Sequence, residues 1–337
     1  MLFFLGGRFV KLAIVGATGL VGRSFLEVLG EKNLPIEELK LLASERSEGM
    51  KLSFKGEELS VTALKEDSFE GIDIALFSAG AKISKIFAPL GAKAGCIVID
   101  NSSCWRMDPE VPLVVPEVNP EDAFKSKGII ANPNCSTIQA VVALAPLHKT
   151  YGIKRVVYST YQSVSGAGKQ GLDDLERTQN GLEPLKFPYP IANNIIPQID
   201  IFLPDGYTKE EEKMIEETRK IMHEPDLRIT ATCARVPVAA SHSESINVEF
   251  YSPFDLVEVK ALLASSPGVV VQDDPESLLY PLPALAKGHD EVYVGRLRRD
   301  PSVENGLNLW VVADNIRKGA ASNAVQIAEL LMKGAHL

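Results

Sequence analysis

The segment Asn132-Pro133-Asn134-Cys135-Ser136-Thr137 sets a thiol between a short apolar run, Gly128 to Ala131, and an apolar helical stretch read from Ile138 to Tyr151. A cysteine at the start of a helix feels the macrodipole and the unpaired amides of the first turn, and both favour thiolate over thiol. Cys135 is therefore the candidate nucleophile. Such a nucleophile works with a group that handles protons and a group that orients the substrate. Of the five histidines, His242 stands apart: it lies in Ala240-Ser241-His242-Ser243-Glu244, read as a polar link between two strands, and follows Arg235 by seven residues. Arg235 closes the run Ile229 to Arg235 near the end of a strand candidate, so one strand's end carries a guanidinium and the next link an imidazole, as the lip of a cleft would.

The other cysteines read differently. Cys96 opens the apolar run that ends at Asp100 and Cys233 lies inside a strand candidate, so both read as small buried hydrophobes. Cys104, in Asn101-Ser102-Ser103-Cys104-Trp105-Arg106, is left undecided. No HxxxH, HExxH or paired-cysteine spacing occurs, and no metal site is expected. In the helix read from Thr208 to Met222, a Thr208/Glu211 capping box accounts for the acids of the first turn, while Glu210 and Lys213 share a face at three-residue spacing.

A second signal is Gly16-Ala17-Thr18-Gly19-Leu20-Val21-Gly22, between an apolar strand candidate and a helix read from Gly19 to Glu31. Glycines there let the backbone turn tightly and approach a pyrophosphate, whose charge meets amides at the helix N-terminus. The spacing is GxxGxxG rather than the more diagnostic GxGxxG, so the strand-turn-helix setting carries the reading of a dinucleotide site over that of a plain tight turn. After the second strand, where an NAD enzyme offers an acid to the ribose hydroxyls, the chain reads Ala43-Ser44-Glu45-Arg46-Ser47. Arg46 and two hydroxyls suit a 2′-phosphate and Glu45 opposes it; NADP is preferred over NAD.

The elements that must position these groups are read from periodicity. From Phe9 to Asp100, β-branched runs alternate with helical stretches, as in βαβ units on a parallel sheet, with a hairpin over residues 51–61 turning at Lys55-Gly56. Beyond them, residues 154–164, 227–236, 244–252, 291–300 and 306–315 are long strand candidates of a second, sheet-rich domain. A last helix, 319–332, is amphipathic through Ala324, Ile327, Ala328 and Leu331. A length of 337 residues suits two domains at roughly 150 residues each.

Composition removes several classes of function. With 45% hydrophobic and 23% charged residues the chain is neither disordered, collagen-like nor a disulfide scaffold. Its 35 Lys and Arg against 44 Asp and Glu give a formal charge of −9, which argues against a broad nucleic-acid surface. Four cysteines without CxxC spacing suit a reducing cytosol. No apolar stretch reaches the length of about 20 residues that crosses a bilayer, so a soluble, cytoplasmic protein is expected. Met1 to Gly7 reads as a short extension rather than a signal peptide, because no small-residue cleavage site follows it.

Taken together the residues resemble the aspartate-semialdehyde dehydrogenase family. The motifs follow one another in order over nearly all of the chain: GATGLVG, the Ala43 to Gly49 segment, FSAG at 77–80, DNSSCWRM, VVPEVN, NPNCST, YQSVSGAGKQG, EEEKM, ARVPV with SHSE, and VVADNIRKGAASNAVQIAE. The resemblance implies an α/β Rossmann-type parallel-sheet domain over 8–134, completed by the C-terminal segment 316–337, and an α+β mixed-sheet catalytic and dimerisation domain over 135–315. It implies NADP(H) as cofactor, β-aspartyl phosphate, L-aspartate 4-semialdehyde and inorganic phosphate as small-molecule substrates, and a homodimer whose further association is open. The reaction would be reductive dephosphorylation through a cysteine thioester, reversible as a phosphorylating oxidation, in lysine, threonine and methionine biosynthesis.

By the same resemblance Cys135 is the nucleophile, His242 the acid/base and Gln162 the group that positions the thioester. Arg235 pairs with the substrate carboxylate, Glu210 meets its amine, Arg106 and Lys213 hold phosphate, and Asn134 supports the site. Gly16, Thr18, Gly19, Leu20, Val21 and Gly22 match the family's dinucleotide loop; Ser44, Arg46 and Ser47 its NADP-selecting loop; Ser78, Gly80 and Gly168 residues lining the cofactor. Related acyl-phosphate or acyl-CoA reductases share the chemistry. N-acetyl-glutamyl-phosphate reductases usually show HPGCYPT where this chain has NPNCST, whereas a malonyl-CoA reductase is harder to set aside. The joint presence of Cys135, Gln162, Arg235 and His242 argues against an inactive binding paralogue.

Overall fold

The computed structural model describes residues 9–334; the extension read at Met1 to Gly7 lies outside the described residues. Its described residues divide into two compact units, 9–133 with 320–334 and 134–319.

The first unit starts with β1 (Val10–Val15), five of whose six residues are buried, and continues through α1 (Leu20–Glu31), β2 (Ile36–Ala43), β3 (Lys51–Phe54), β4 (Glu57–Ala63), β5 (Ile74–Phe77), α2 (Ala81–Lys93), β6 (Ile97–Asp100) and β7 (Ile129–Ala131). Its seven strands lie in the order β3-β4-β2-β1-β5-β6-β7. All neighbours are parallel except β3 and β4, the expected hairpin, whose turn residues Lys55 and Gly56 both have positive φ, 49° and 86°. The chain winds one way from β1 to β2 and the other way to β5, and the carboxyl ends of β1 and β5 flank this switch point, where open α/β sheets bind ligands.

The turn after β1 depends on two glycines. Gly16 has φ +85°, and a Cβ on it would sit 2.9 Å from the Ser78 carbonyl carbon. A Cβ on Gly22 would come within 2.2 Å of the Gly16 carbonyl oxygen, so α1 can lie against the turn only because that residue has no side chain. Backbone cannot move aside as a side-chain tip can. Gly22→Ala is expected to lower unfolding stability by about 1–3 kcal/mol, read as a smaller denaturant midpoint at unchanged slope.

The second unit holds α3 (Cys135–Tyr151), β8 (Ile153–Gln162), α4 (Lys169–Gln179), α5 (Lys209–Met222), β9 (Arg228–Arg235), β10 (His242–Phe250), α6 (Leu256–Ala264), β11 (Val269–Val271), α7 (Pro283–Ala286), β12 (Val292–Asp300) and β13 (Gly306–Ala313). Six strands form a mixed sheet in the order β11-β12-β13-β10-β8-β9. β12, β13, β10 and β8 pair antiparallel in turn, with β11 and β9 parallel at the edges.

The structure departs from the sequence reading in several places, the short β11 and α7 among them. α3 begins at Cys135 rather than Ile138, because the Asn134 side chain caps it by accepting from the amides of Ser136 and Thr137. α4 and α6 were not anticipated: α4 is mostly polar and buries only Gly171, Asp174, Leu175 and Thr178, while α6 depends on Asp255 as its cap. His242 is the first residue of β10, paired with Ala313 and fully buried; its polar neighbours made it look like a link. The last helix starts later than expected. Residues Arg317–Ala321 make a π-turn, closed by the Gly319 amide bonding the Asp314 carbonyl at 3.0 Å, and α8 (Ser322–Lys333) follows. α8 packs Ala324, Val325, Ile327, Ala328 and Leu331 into the first unit's core with Leu12, Ile14, Phe25 and Leu29.

Candidate active site

Cys135 is the first residue of α3 and half-buried, with no acidic residue in the helix's first turn. Two backbones meet at it: a Cβ on Gly319, in the π-turn, would be 2.8 Å from the Cys135 Cβ. Asn134 holds the start of the helix in place. Its amide N–H donates to Glu217 Oε2 at 2.6 Å and its Nδ2 donates to Glu210 Oε1 at 2.9 Å.

Glu210, on α5, is the hub of the surrounding polar groups. Oε1 accepts from Asn134 and from Gln162 Nε2, at 2.9 and 3.2 Å, and Oε2 accepts from Lys213 Nζ at 3.2 Å. Burial by itself pushes this carboxyl up, but Lys213, the two amides and the Arg235 charge outweigh it and hold it below the usual range. Lys213 also reaches Asp200 Oδ2 at 2.9 Å. Gln162, at the end of β8 and 1% exposed, donates to Thr160 Oγ1 as well. Asn134, Gln162, Glu210 and Lys213, to which the resemblance gave different roles, therefore form one connected group.

Arg235 and His242 form the second group. Arg235 ends β9 and is buried; its Nη1 donates to the Ser163 carbonyl at 2.7 Å, and among the described residues no carboxylate pairs with it directly. Burial lowers its pKa from the usual value, while Glu210 and Cys135 work against that, so thiol and guanidinium lie within electrostatic reach of each other. The His242 Nδ1 accepts from the Ser163 amide at 3.1 Å. Burial first, then the Arg235 charge, lowers the imidazole to about 3 despite the Ser241 backbone, so the ring is neutral near pH 7. Gly166 brings the two together, since a Cβ there would be 2.8 Å from Arg235 Nη1 and 3.3 Å from His242 Nε2. Gly166→Ala is expected to displace the guanidinium tip while the fold holds. That predicts a KM for a carboxylate substrate raised about tenfold with thermal stability little changed, checked by kinetics beside a melting curve.

In the first unit the turn from Gly16 to Gly22 leads into a helix start free of side-chain caps. α1 is capped by Gly19 without any side-chain hydrogen bond and has no acid in its first turn, and α2 is likewise capped by Gly80 (φ +86°). Both leave first-turn amides without a side-chain partner. Thr18, Leu20 and Val21 continue the loop, with Leu20 exposed and Thr18 and Val21 half-buried. The Ser78 amide bonds the Val15 carbonyl at 2.8 Å, which sets Ser78 beside the Gly16 turn. Ser44, Arg46 and Ser47 lie at a short 3-10 turn after β2, with Ser44 and Arg46 exposed and Ser47 half-buried.

Arg106 is buried in the same unit and bonds the carbonyls of Asn132 and Asn101, each at 3.0 Å. Gly168 belongs to the second unit, where it caps α4 with φ +73°.

Cys96 and Cys233 are buried and their thiols are pushed up, Cys96 to about 12, by burial and then by nearby carboxylates. Cys104 is half-buried and also raised. Sequence reasoning missed Glu217, Gly166, Gly319 and Ser163. Glu217 had a signal: it follows Glu210 by seven residues and shares the buried face of α5 with Met214 and Ile221. Among the described residues no group of three or more His, Cys, Asp or Glu could hold a metal ion, and no helix is long and apolar enough to cross a membrane.

Two family descriptions match the chain: "Semialdehyde dehydrogenase, NAD binding domain" over residues 11–126 and "Semialdehyde dehydrogenase, dimerisation domain" over residues 144–318. The aspartate-semialdehyde dehydrogenase of Aquifex aeolicus is 60% identical over 96% of this chain and 98% of its own length. The crystal structure of aspartate semialdehyde dehydrogenase II complexed with ASA from Vibrio cholerae superposes with TM-score 0.94 at 49% identity, covering 97% of this chain and 99% of that one. The aspartate semialdehyde dehydrogenase with NADP from Candida albicans has TM-score 0.77 at 27% identity and covers 97% and 100%.

Proposed function

The chain belongs to the aspartate-semialdehyde dehydrogenase family, and from that premise we propose that it interconverts β-aspartyl phosphate and L-aspartate 4-semialdehyde with NADP(H), through a thioester on Cys135, in the synthesis of lysine, threonine and methionine. The observation that carries this reading is the buried Arg235 guanidinium, held on the Ser163 carbonyl without a paired carboxylate and within electrostatic reach of a thiol at a helix start. A buried cation without a directly paired carboxylate is costly, and a substrate carboxylate supplies the missing partner.

In the oxidative direction the Cys135 thiolate attacks the aldehyde carbon, favoured by its place at the positive end of the α3 dipole. Arg235 grips the substrate carboxylate and fixes the distance between thiolate and carbonyl. The Glu210 charge meets the amine, and Gln162, tied to Glu210, positions the acyl group. Asn134 keeps Cys135 at the head of the helix. Arg106 and Lys213 receive the phosphate that cleaves the thioester, and His242 serves the oxygen and proton changes at the same carbon.

The residues of the first unit fit a dinucleotide: the Gly16 to Gly22 turn excludes side chains where a pyrophosphate needs bare backbone, and α1 offers first-turn amides without a side-chain cap. Thr18, Leu20, Val21, Ser78, Gly80 and Gly168 would complete its binding. Bound NADP(H) supplies hydride exchange at the acyl carbon. Ser44, Arg46 and Ser47 select the 2′-phosphate. Arg46→Glu should lower the efficiency with NADP relative to NAD by about tenfold or more, and an unchanged ratio would move selection to other residues.

The protein works as a homodimer through its second unit, in the cytosol. The reading is tested by trapping: mixed with aspartate semialdehyde and NADP without phosphate, the protein should gain an aspartyl adduct on the peptide that carries Cys135. An adduct on another peptide, or none, would refute it.

A further inference from the structure

Glu244 lies on β10, opposite Thr160 of β8 and Val311 of β13. It is fully buried, and among the described residues neither of its carboxyl oxygens has a hydrogen-bond partner. Gln139, from α3, is the neutral polar group within reach of it. The Gln139 Nε2 donates to the His242 main-chain carbonyl at 3.4 Å, while its Oε1 is buried and has no donor. Three buried acceptor oxygens on two neighbouring side chains therefore lack a hydrogen. No cation settles the account. The charge acting on Glu244 is that of Glu210 on α5, which has the same sign. Tyr158 from β8 and Cys233 from β9, the other titratable groups that feel it, are held protonated by burial. An ionised carboxyl without a partner is among the costliest groups to bury, whereas one proton removes its charge and supplies the missing donor.

We infer that Glu244 is a neutral carboxylic acid whose O–H bonds Gln139 Oε1, a strut that latches the start of α3 to the start of β10 and makes Glu244 and Gln139 positioning residues for Cys135. Gln139 follows Cys135 by four residues, so the two share a face of α3, one turn apart. From Glu244 the strut runs through the Gln139 amide to the His242 carbonyl, and it fixes where the helix that begins at Cys135 sits against the strand that begins at His242. The neutral state has a second consequence. Glu210 remains the carboxylate whose charge acts on Arg235, so the guanidinium stays open to a substrate carboxylate instead of being neutralised from within. The inference rests on the proposed function for its effect on catalysis and on the geometry alone for the state of the acid.

The state of the acid can be read without substrate. Infrared difference spectra of the full chain near pH 7, parent against Glu244→Gln, should show a carboxylic-acid C=O band that belongs to the parent and moves in deuterated water. A carboxylate band in its place overturns the inference whatever the substrate proves to be. Kinetics reads the strut. Glutamine keeps an N–H donor for Gln139 and carries no charge, so Glu244→Gln should acylate Cys135 at close to the parent rate. A loss of about tenfold or more in that variant would show a charge or a proton transfer at work, and would overturn the inference. Glu244→Leu keeps much of the volume but leaves Gln139 Oε1 without a donor. It should acylate about tenfold more slowly than Glu244→Gln, with KM for the semialdehyde within about twofold. Equal rates would make Glu244 a filler of space and overturn the positioning role. If Glu244→Leu does not fold, Gln139→Leu cuts the strut from the helix side and takes its place in the comparison, with the same expected loss. Absence of turnover by the parent would refute the proposed function and leave the infrared band to decide the acid.

Discussion

Cys135→Ser removes turnover, by a factor of roughly a thousand or more, while Cys96→Ala, Cys104→Ala and Cys233→Ala stay within about threefold of the parent rate. Serine keeps the shape of the side chain at the start of α3 and could keep its hydrogen bonds. What it lacks is an accessible anion near pH 7, since the positive end of a helix dipole favours a thiolate but does not ionise an alcohol. Cys96 and Cys233 cannot substitute for it. They are buried and their thiols are raised, so they stay protonated and out of reach. Steady-state rates of the four purified variants, each shown to be folded, decide the matter; strong activity in Cys135→Ser would remove it as nucleophile.

Arg235→Lys should lower kcat/KM for the semialdehyde about ten- to 150-fold, the loss of one or more charge-assisted hydrogen bonds, with dinucleotide affinity nearly unchanged. Lysine keeps the charge but not the fork. Arg235 commits Nη1 to the Ser163 carbonyl, and its remaining N–H groups can face a carboxylate; an ammonium in that place would choose between the carbonyl and the ligand. If Arg235 only closed the end of β9, the variant would lose some stability and little catalytic efficiency. Kinetics with cofactor binding measured separately distinguishes the two.

The parts of this molecule that were legible in its sequence are those fixed by local pattern. The alternation of β-branched runs and helical stretches up to Asp100 gave the parallel sheet, and Lys55-Gly56 gave its hairpin, because turn chemistry is local. The place of Cys135 at a helix start was legible because the apolar run after it has helical length and Asn134 before it is a ready cap. The rest depended on contacts remote along the chain. His242 looked like part of a link because Ser241, Ser243 and Glu244 are polar, and only the ladder with Ala313 makes it a strand residue. The bonds from Asn134 to Glu210 and Glu217 span 76 and 83 residues. Gly166 gave no signal of its own, since its role is to be absent where Arg235 and His242 need room.

The central claim is that Cys135 carries an aspartyl group between the dinucleotide and phosphate. The most direct measurement is the formation of NADPH from NADP and L-aspartate 4-semialdehyde by the purified protein, with and without inorganic phosphate. Sustained NADPH formation that requires phosphate, beside no more than a single turnover without it and none at all in Cys135→Ala, is the predicted result. Sustained turnover without phosphate, turnover by Cys135→Ala, or no turnover under either condition would contradict it.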